Sequence, residues 1–209
     1  MQHISQTEKK IIAAATDIFL KKGKDGARMQ EIADHAGINK ALLHYYFRSK
    51  DRLFEEVFKN EIKTIVTSII DAISETENFY DFLTQFVHTY LKFITPRRAL
   101  MRFIFWEISK SKQAVSSYFW EVFTQRGYIE NPFISKVKNA IDSGQIRRVD
   151  PEHLILNLLG MCIFPFMAAP LIENILRYEI NLDDPEFQKK REKVIVELIW
   201  RGVKPEQEV

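Results

Sequence analysis

The chain has 209 residues, of which 46% are hydrophobic, so it can bury a sizeable core and is excluded from the class of disordered proteins. Its single cysteine, Cys162, excludes an intrachain disulfide and indicates a reducing, cytoplasmic compartment. The first ten residues contain no apolar run, which argues against a signal peptide. The net charge of +2 is too small to indicate a partner by itself.

The pattern between residues 28 and 47 predicts two short helices joined by a tight turn. Ala33 lies on the apolar face of the first helix, and its small side chain lets a second helix cross closely. Gly37 follows where a helix end favours a residue that tolerates positive φ, and Asn39 stands where a side chain can cap the next helix. With Leu43 turned inward, this is the spacing of a helix-turn-helix, whose second helix fits the major groove of DNA. A purely structural helical hairpin is the alternative.

Residues 32–53 read Ile-Ala-Asp-His-Ala-Gly-Ile-Asn-Lys-Ala-Leu-Leu-His-Tyr-Tyr-Phe-Arg-Ser-Lys-Asp-Arg-Leu. This segment closely resembles the DNA-binding domain of the TetR-type (tetracycline-repressor) family of bacterial regulators. Asn39 stands in place of the family's usual serine cap, Ala41 in place of a frequent glycine, and His44 in place of a tyrosine that faces the groove. The resemblance covers about the first quarter of the chain. It implies a homodimeric, ligand-responsive DNA-binding regulator, by default a repressor.

A set of residues around the turn is predicted to contact double-stranded DNA. Arg28 begins the first of the two helices, where free backbone N–H groups also favour a phosphate. The outward positions of the second helix carry groups that can reach base edges, phosphates or sugars. By position, Lys50 matches a phosphate-contacting lysine of the family. A solvated face explains the exposed arginine and histidine as well. The predicted set is Arg28, Gln30, Asn39, Lys40, Ala41, His44, Tyr45 and Lys50.

Positive charge is concentrated at the same end of the chain. Residues 1–52 contain ten Lys and Arg against six Asp and Glu, and the remaining residues carry a net charge of −2. A phosphate-binding surface requires such an excess, although a solvated charged face explains it about as well.

The other helices are predicted mainly from pairs of a capping residue and a proline, which mark helix starts at Thr95-Pro96, Asn131-Pro132, Asp150-Pro151 and Asp184-Pro185. No β-hairpin signal occurs. The sequence therefore predicts an all-α fold with about nine or ten helices. An N-terminal three-helix helix-turn-helix domain takes residues 1–50, and a larger C-terminal helical bundle domain takes residues 51–209. The predicted helices span 5–22, 28–36, 39–46, 50–73, 78–94, 96–110, 113–126, 132–143, 151–164 and 185–201.

Aromatic residues are dense between positions 79 and 128. At helical spacing most such side chains belong to a core, yet many bulky rings pack imperfectly and can leave apolar cavities. The resemblance implies a ligand cavity in this part of the chain, and the apolar composition predicts a small apolar or aromatic effector. The candidate pocket residues are Phe86, Tyr90, Phe105, Trp106, Phe123 and Met161.

Residues 154–172 contain no charged residue, so a membrane span has to be weighed. Pro165 and Pro170 would break a spanning helix and no basic cluster flanks the segment, so we expect no membrane association. A buried helix with a kink near Pro165 fits better. Its apolarity on all sides indicates that it meets two neighbours, one of which can be another subunit. The helices near 151–164 and 185–201 are predicted to form a homodimer as a four-helix bundle, as the resemblance also implies.

Catalytic and metal-binding motifs are absent from the sequence. The five histidines are scattered, and no HExxH, CxxC, GxGxxG, Walker or GxSxG pattern occurs. His88 and Glu107 could pair as acid and base, but a polar handle in a pocket or plain exposure explains them as well. We therefore predict a regulator that is not an enzyme, uses no metal or cofactor and binds a palindromic operator. The alternative is an all-α small-molecule binding protein or enzyme with a vestigial helix-turn-helix.

Overall fold

The computed structural model describes residues 5–98, 101, 104, 112–177 and 179–205. Within these residues the chain forms nine α-helices and one 3₁₀ helix and contains no strand, so the predicted all-α class is confirmed. The 3₁₀ helix spans Thr95–Arg97. The α-helices are α1 (Gln6–Gly26), α2 (Met29–His35), α3 (Lys40–Tyr46), α4 (Lys50–Ser74), α5 (Phe79–Ile94), α6 (Lys112–Gln125), α7 (Pro132–Asp142), α8 (Pro151–Leu176) and α9 (Pro185–Val203).

Contacts divide the chain into two compact units. The first unit comprises Met1–Thr64 and Arg97–Tyr118, and the second unit comprises Ile65–Pro96 and Phe119–Val209. Two of the three boundaries fall inside α4 and inside α6, so each of these helices contributes residues to both units, and the third boundary falls within the 3₁₀ helix. The first unit contains the whole predicted helix-turn-helix.

The first unit has a hydrophobic core built from α1, α2, α3 and the start of α4. The rings of Phe19 and Phe54 meet edge to face with centroids 4.6 Å apart. At its rim, the Ser5 hydroxyl donates to the Tyr46 hydroxyl at 3.3 Å. The apolar faces of the four helices therefore pack against one another. The opposite face of α3 is exposed to solvent. The buried core residues are Ile11, Ala15, Ile18, Phe19, Ala27, Ile32, Ala33, Leu43, Phe47, Leu53, Phe54 and Val57.

In the second unit α5 packs against α8 and α9 and buries one aromatic and aliphatic face. Phe82, Leu83, Phe86 and Val87 are each at most 1% exposed. Two polar contacts hold the ends of elements in place. The Phe79 amide donates to the side-chain oxygen of Gln145 at 2.7 Å, and the Arg147 Nε donates to the Gly202 carbonyl at 2.7 Å.

Three of the four predicted proline starts are confirmed, because α7, α8 and α9 begin at Pro132, Pro151 and Pro185 behind an asparagine or aspartate cap. The prediction for Thr95-Pro96 was wrong. Thr95 ends α5, and its hydroxyl donates back to the Leu91 carbonyl at 2.8 Å. A threonine hydroxyl can satisfy a carbonyl of the preceding turn as readily as it caps the next helix, and sequence alone does not distinguish the two.

Helix α8 does not end near residue 164 as predicted, but continues through Pro165 to Leu176. A proline inside a helix removes the N–H that would bond the carbonyl four residues earlier, here that of Met161. The Arg191 Nη2 on α9 donates to this carbonyl at 2.7 Å. The bond lost within α8 is therefore replaced from another helix, and the helical path is kept.

Two helices run past their predicted ends at residues 22 and 201. Gly23, with φ 68°, interrupts the path of α1, yet one more turn follows to Gly26. Gly202 lies within α9, which ends at Val203.

Candidate DNA-binding surface

The turn between α2 and α3 is closed by local hydrogen bonds. Gly37 has φ 67°, in the left-handed region that favours glycine, and the amides of Gly37 and Ile38 donate to carbonyls of α2 at 3.1 and 3.0 Å. The Asn39 side-chain oxygen accepts from the Leu42 amide at 2.7 Å and caps α3. Ala33 is fully buried where the helices pack. The angle of α3 is thus set by a glycine, a cap and a small core residue.

Helix α3 presents two faces of different character. Leu43 is fully buried and the following Phe47 is 5% exposed, so both anchor the helix in the core of the first unit. The opposite face is open to solvent, and the Tyr45 side chain is 79% exposed. The outward residues are Lys40, Ala41, His44 and Tyr45.

The flanking predicted residues differ in how free they are. Arg28 is exposed at the start of α2 and caps it with no side-chain hydrogen bond. The Gln30 amide nitrogen donates to the Asp34 carboxylate at 2.8 Å, which fixes the side chain and leaves its oxygen as an acceptor. Lys50 is half-buried, and its Nζ donates to the Ala27 carbonyl at 3.2 Å, so its ammonium group keeps two further donors.

Ion pairs neutralise some of the positive charge of the first unit. Lys22 pairs with Glu31, and Lys24 pairs with Asp51 at 2.8 Å. Within the described part of the chain, the exposed cations Arg28, Lys40 and Arg48 form no ion pair. Three cations in or beside the helix-turn-helix therefore keep their charge for an external anion.

The predicted pocket residues belong to the second unit, where Phe86, Tyr90 and Phe123 join one aromatic cluster with Phe133. The Phe86 and Tyr90 rings stack with centroids 5.8 Å apart, and Phe133 meets Phe86 at 5.4 Å and Phe123 at 6.0 Å, both edge to face. We call these four residues the aromatic cluster. Phe86 is 1% exposed and Phe123 is 3% exposed, whereas Tyr90 is half-buried.

Phe105 and Trp106, the other predicted aromatic pocket residues, lie outside the described residues. Met161 is half-buried on α8, next to the buried Cys162. Burial raises the pKa of the Cys162 thiol to about 12, a shift that the nearby Arg191 guanidinium opposes. The thiol is therefore neutral at physiological pH and is a poor nucleophile. The described residues contain no group of three or more His, Cys, Asp or Glu that could hold a metal ion.

Comparison with known proteins identifies the family. The profile described as "Bacterial regulatory proteins, tetR family" matches residues 11–57, which span the helix-turn-helix. The HTH-type transcriptional repressor SCO4008 of Streptomyces coelicolor is 30% identical over 170 residues, covering 81% of this chain and 83% of that protein. The chain belongs to the TetR family. The HTH-type regulator RutR of Escherichia coli is 26% identical over 216 residues, covering 97% of this chain and 92% of its own.

The fold comparison agrees with this assignment. A crystal structure of a TetR-family regulator from Mesorhizobium loti superposes with a TM-score of 0.68 at 21% identity and covers 98% of this chain and all of that chain. TetR-family regulators bind DNA and ligands, typically as dimers. The chain is therefore a ligand-responsive, DNA-binding transcriptional regulator.

Two residues of interest in this TetR-family chain were not selected from the sequence. Phe133 connects Phe86 to Phe123, but its partners lie 47 and 10 positions away, so no local pattern marks it. Arg191 lies among lysines and glutamates of α9, so the sequence predicts one more solvent-exposed charge at this position. Its contact with Met161 on α8 distinguishes it from those charges.

Proposed function

We propose that this regulator represses transcription in the cytoplasm as a homodimer. Residues 1–50 bind a palindromic operator, and residues 51–209 bind a small effector and form the dimer. The observation that carries the proposal is the outer face of α3, where exposed side chains stand on a helix anchored by Leu43 and capped by Asn39. We propose repression rather than activation because repression is the usual mode of action in the TetR family.

In the DNA complex we assign base contacts to α3 and phosphate contacts to its flanks. Lys40 can donate to guanine or to phosphate, and Tyr45 can stack on a sugar or a thymine methyl group. His44 donates to a base edge or a phosphate. Arg28 and Lys50 hold phosphates on either side, and both retain unused donors.

Helix register supports roles for the remaining predicted residues. Gln30, oriented by Asp34, presents its amide oxygen outward at the first turn of α2. Ala41 is exposed, and its small side chain allows α3 to approach the groove closely. Asn39 uses its side-chain oxygen as the cap, so its amide NH₂ group is the part left for DNA.

For the dimer we propose the exposed apolar side chains of α8 and α9. On α8, Leu156, Phe164, Leu171 and Ile175 are 57–67% exposed, and they recur at intervals of eight, seven and four residues, which keeps them on one helix face. On α9, Leu198 is 59% exposed. Apolar surface of this extent favours a partner, and a two-fold axis pairs such a patch with itself.

A lipid bilayer is the competing occupant of that surface. The segment Pro151–Ala169 is long and apolar enough to cross a membrane by length and composition, as core helices of globular proteins also are, and 39% of it is buried. The exposed positions of α8 also include Asn157 and His153, which disfavour a lipid-facing helix. Sedimentation of the purified chain without detergent distinguishes a discrete dimer from aggregation.

The effector site is assigned to the second unit, because the aromatic cluster offers stacking surface beside the half-buried Tyr90 and Met161. A small apolar or aromatic molecule suits such a wall. Its binding would favour a dimer whose recognition helices are wrongly spaced for the operator, and DNA affinity would fall by differential binding to the two states.

Selection from random duplex DNA at two salt concentrations tests the proposal. We expect an enriched palindrome whose affinity falls as salt rises. Lys40→Ala should weaken binding, while the matched exposed lysine change Lys92→Ala, on α5 of the second unit, should leave it unchanged. Binding without sequence preference would overturn the proposal. It would favour the alternative, an all-α small-molecule binding protein or enzyme with a vestigial helix-turn-helix. Turnover of an apolar compound at a rate that DNA does not change would establish that alternative.

A further inference from the structure

The second unit contains a partly buried cation that forms no ion pair with the described residues. Arg191 on α9 uses its Nη2 for the Met161 carbonyl at 2.7 Å. Its Nε is buried and has no hydrogen-bond partner. Among the described residues Arg191 forms no ion pair, and the neighbouring Glu192 is engaged with His88 at 3.1 Å. A guanidinium with one of its five donors used, and one buried donor unused, is left open for an acceptor.

The stretch of α8 that faces this guanidinium carries no negative charge. Arg191 reaches α8 at Met161, and residues 154–172 of that helix contain no charged side chain. Burial lowers the pKa of Arg191, which is the expected response of a cation held in such surroundings. Because an arginine stays protonated in proteins, the positive charge persists, and an added anion would gain a strong charge-assisted hydrogen bond there.

A contact between α5 and α9 brings this charge to the level of the aromatic cluster. The His88 ring on α5 lies 3.1 Å from the carboxylate of Glu192, the residue after Arg191, and Tyr90 follows His88 by two positions. Tyr90 stacks on Phe86, the centre of the aromatic cluster. A ligand on this wall would therefore have stacking surface at one end and an unused guanidinium edge at the other.

We propose that Arg191 anchors the carboxylate of an amphipathic effector whose apolar body lies against the aromatic cluster. The proposal rests on the proposed function of the second unit as the effector-binding part, and it narrows an apolar or aromatic effector to one with an anionic head. Carboxylate fits because its two oxygens match the planar fork of a guanidinium.

A structural role of Arg191 has to be separated from this binding role. Removing the arginine strips the Met161 carbonyl of its donor, so Arg191→Met alone can destabilise α8 without any bearing on ligands. Pro165→Ala restores an N–H at position 165 that can bond that carbonyl within the helix. In the Pro165→Ala background the arginine is no longer required for α8, and its effect on ligands can be measured alone.

The experiment compares each carboxylate with its own primary alcohol, using 4-phenylbutyrate with 4-phenylbutanol and decanoate with decanol. Dissociation constants are measured by calorimetry on the full chain carrying Pro165→Ala, with and without Arg191→Met. We expect the acids to bind at least about tenfold more tightly than the alcohols when Arg191 is present, the size of a charge-assisted hydrogen bond. Arg191→Met should remove that preference and leave the alcohols unchanged.

Equal affinities for acid and alcohol, a preference that survives Arg191→Met, or no binding of any of the four compounds would overturn the proposal. Operator binding measured on the same proteins keeps the two hypotheses apart. Specific DNA binding without a carboxylate preference would refute only the anchoring role of Arg191. A carboxylate preference without any specific DNA binding would refute the proposed function and leave the anion site standing.

Discussion

One helix in each unit of this protein is stabilised over a very different distance along the chain. In the first unit the start of α3 is closed by a cap between residues three positions apart, Asn39 and Leu42. In the second unit the middle of α8 depends on a bond between residues 30 positions apart, Met161 and Arg191. Local bonds form wherever the segment folds, whereas the second kind exists only after α8 and α9 have packed. The start of α3 is therefore specified by short-range chemistry, and the middle of α8 by a tertiary contact.

The largest effect should come from the core beneath α3. Leu43→Ala removes a fully buried side chain and should lower the free energy of unfolding by about 2–5 kcal/mol. DNA binding should be lost with it. The adjacent Leu42→Ala, at a position 36% exposed, is the matched control and should cost well under half as much. Chemical denaturation followed by circular dichroism measures both, and equal losses would contradict the core assignment.

A charge on the proposed dimer surface should have the next largest effect. Leu198→Lys on α9 places an ammonium group in an interface that we expect to be dry, and should weaken dimerisation by about 2 kcal/mol or more, roughly 30-fold in dissociation constant. Ile129→Lys makes the same change at a position that is 96% exposed, outside α8 and α9, and should leave the dimer intact. Analytical ultracentrifugation gives the dissociation constants. Monomerisation by both variants, or by neither, would contradict the proposed interface.

The long-range bond of α8 can be tested by a double-mutant cycle. Arg191→Met should destabilise the chain with Pro165 present, and much less in the Pro165→Ala background, where the helix supplies its own donor. We expect a coupling of about 1–2 kcal/mol between the two positions. Additive losses of unfolding free energy would show that Arg191 does not replace the bond removed by the proline.

The comparison also explains what could be predicted from sequence. The glycine at position 37, the cap at 39 and the buried position 43 lie within seven residues of one another, so periodicity and capping rules were sufficient for the helix-turn-helix. The end of α8 was wrongly predicted for the opposite reason. Pro165 is a helix breaker by local rules, and the compensating arginine lies on another helix.

The two candidate sites also differ in how far local sequence patterns could predict them. Exposure of Lys40, His44 and Tyr45 follows from their register on a helix whose inner face is identifiable. The aromatic cluster could be predicted only as a list of rings at helical spacing, because helix packing decides which rings meet. Phe133 joins the aromatic cluster through helix packing. No local sequence pattern indicates its contacts with Phe86 and Phe123.

The smallest effect is expected from the local cap at the start of α3. Asn39→Ala removes the oxygen that accepts from the Leu42 amide and should cost about 1 kcal/mol of unfolding free energy. Asn39→Ser keeps an acceptor at the same place and should cost only a few tenths of that amount. Hydrogen exchange at the Leu42 amide reports the cap directly and should accelerate in the alanine variant alone. Because the bond is local, the same change of exchange should appear when Leu198→Lys has separated the subunits. If the change in exchange at Leu42 instead disappears when the subunits separate, the start of α3 depends on long-range contacts and not on the local cap alone.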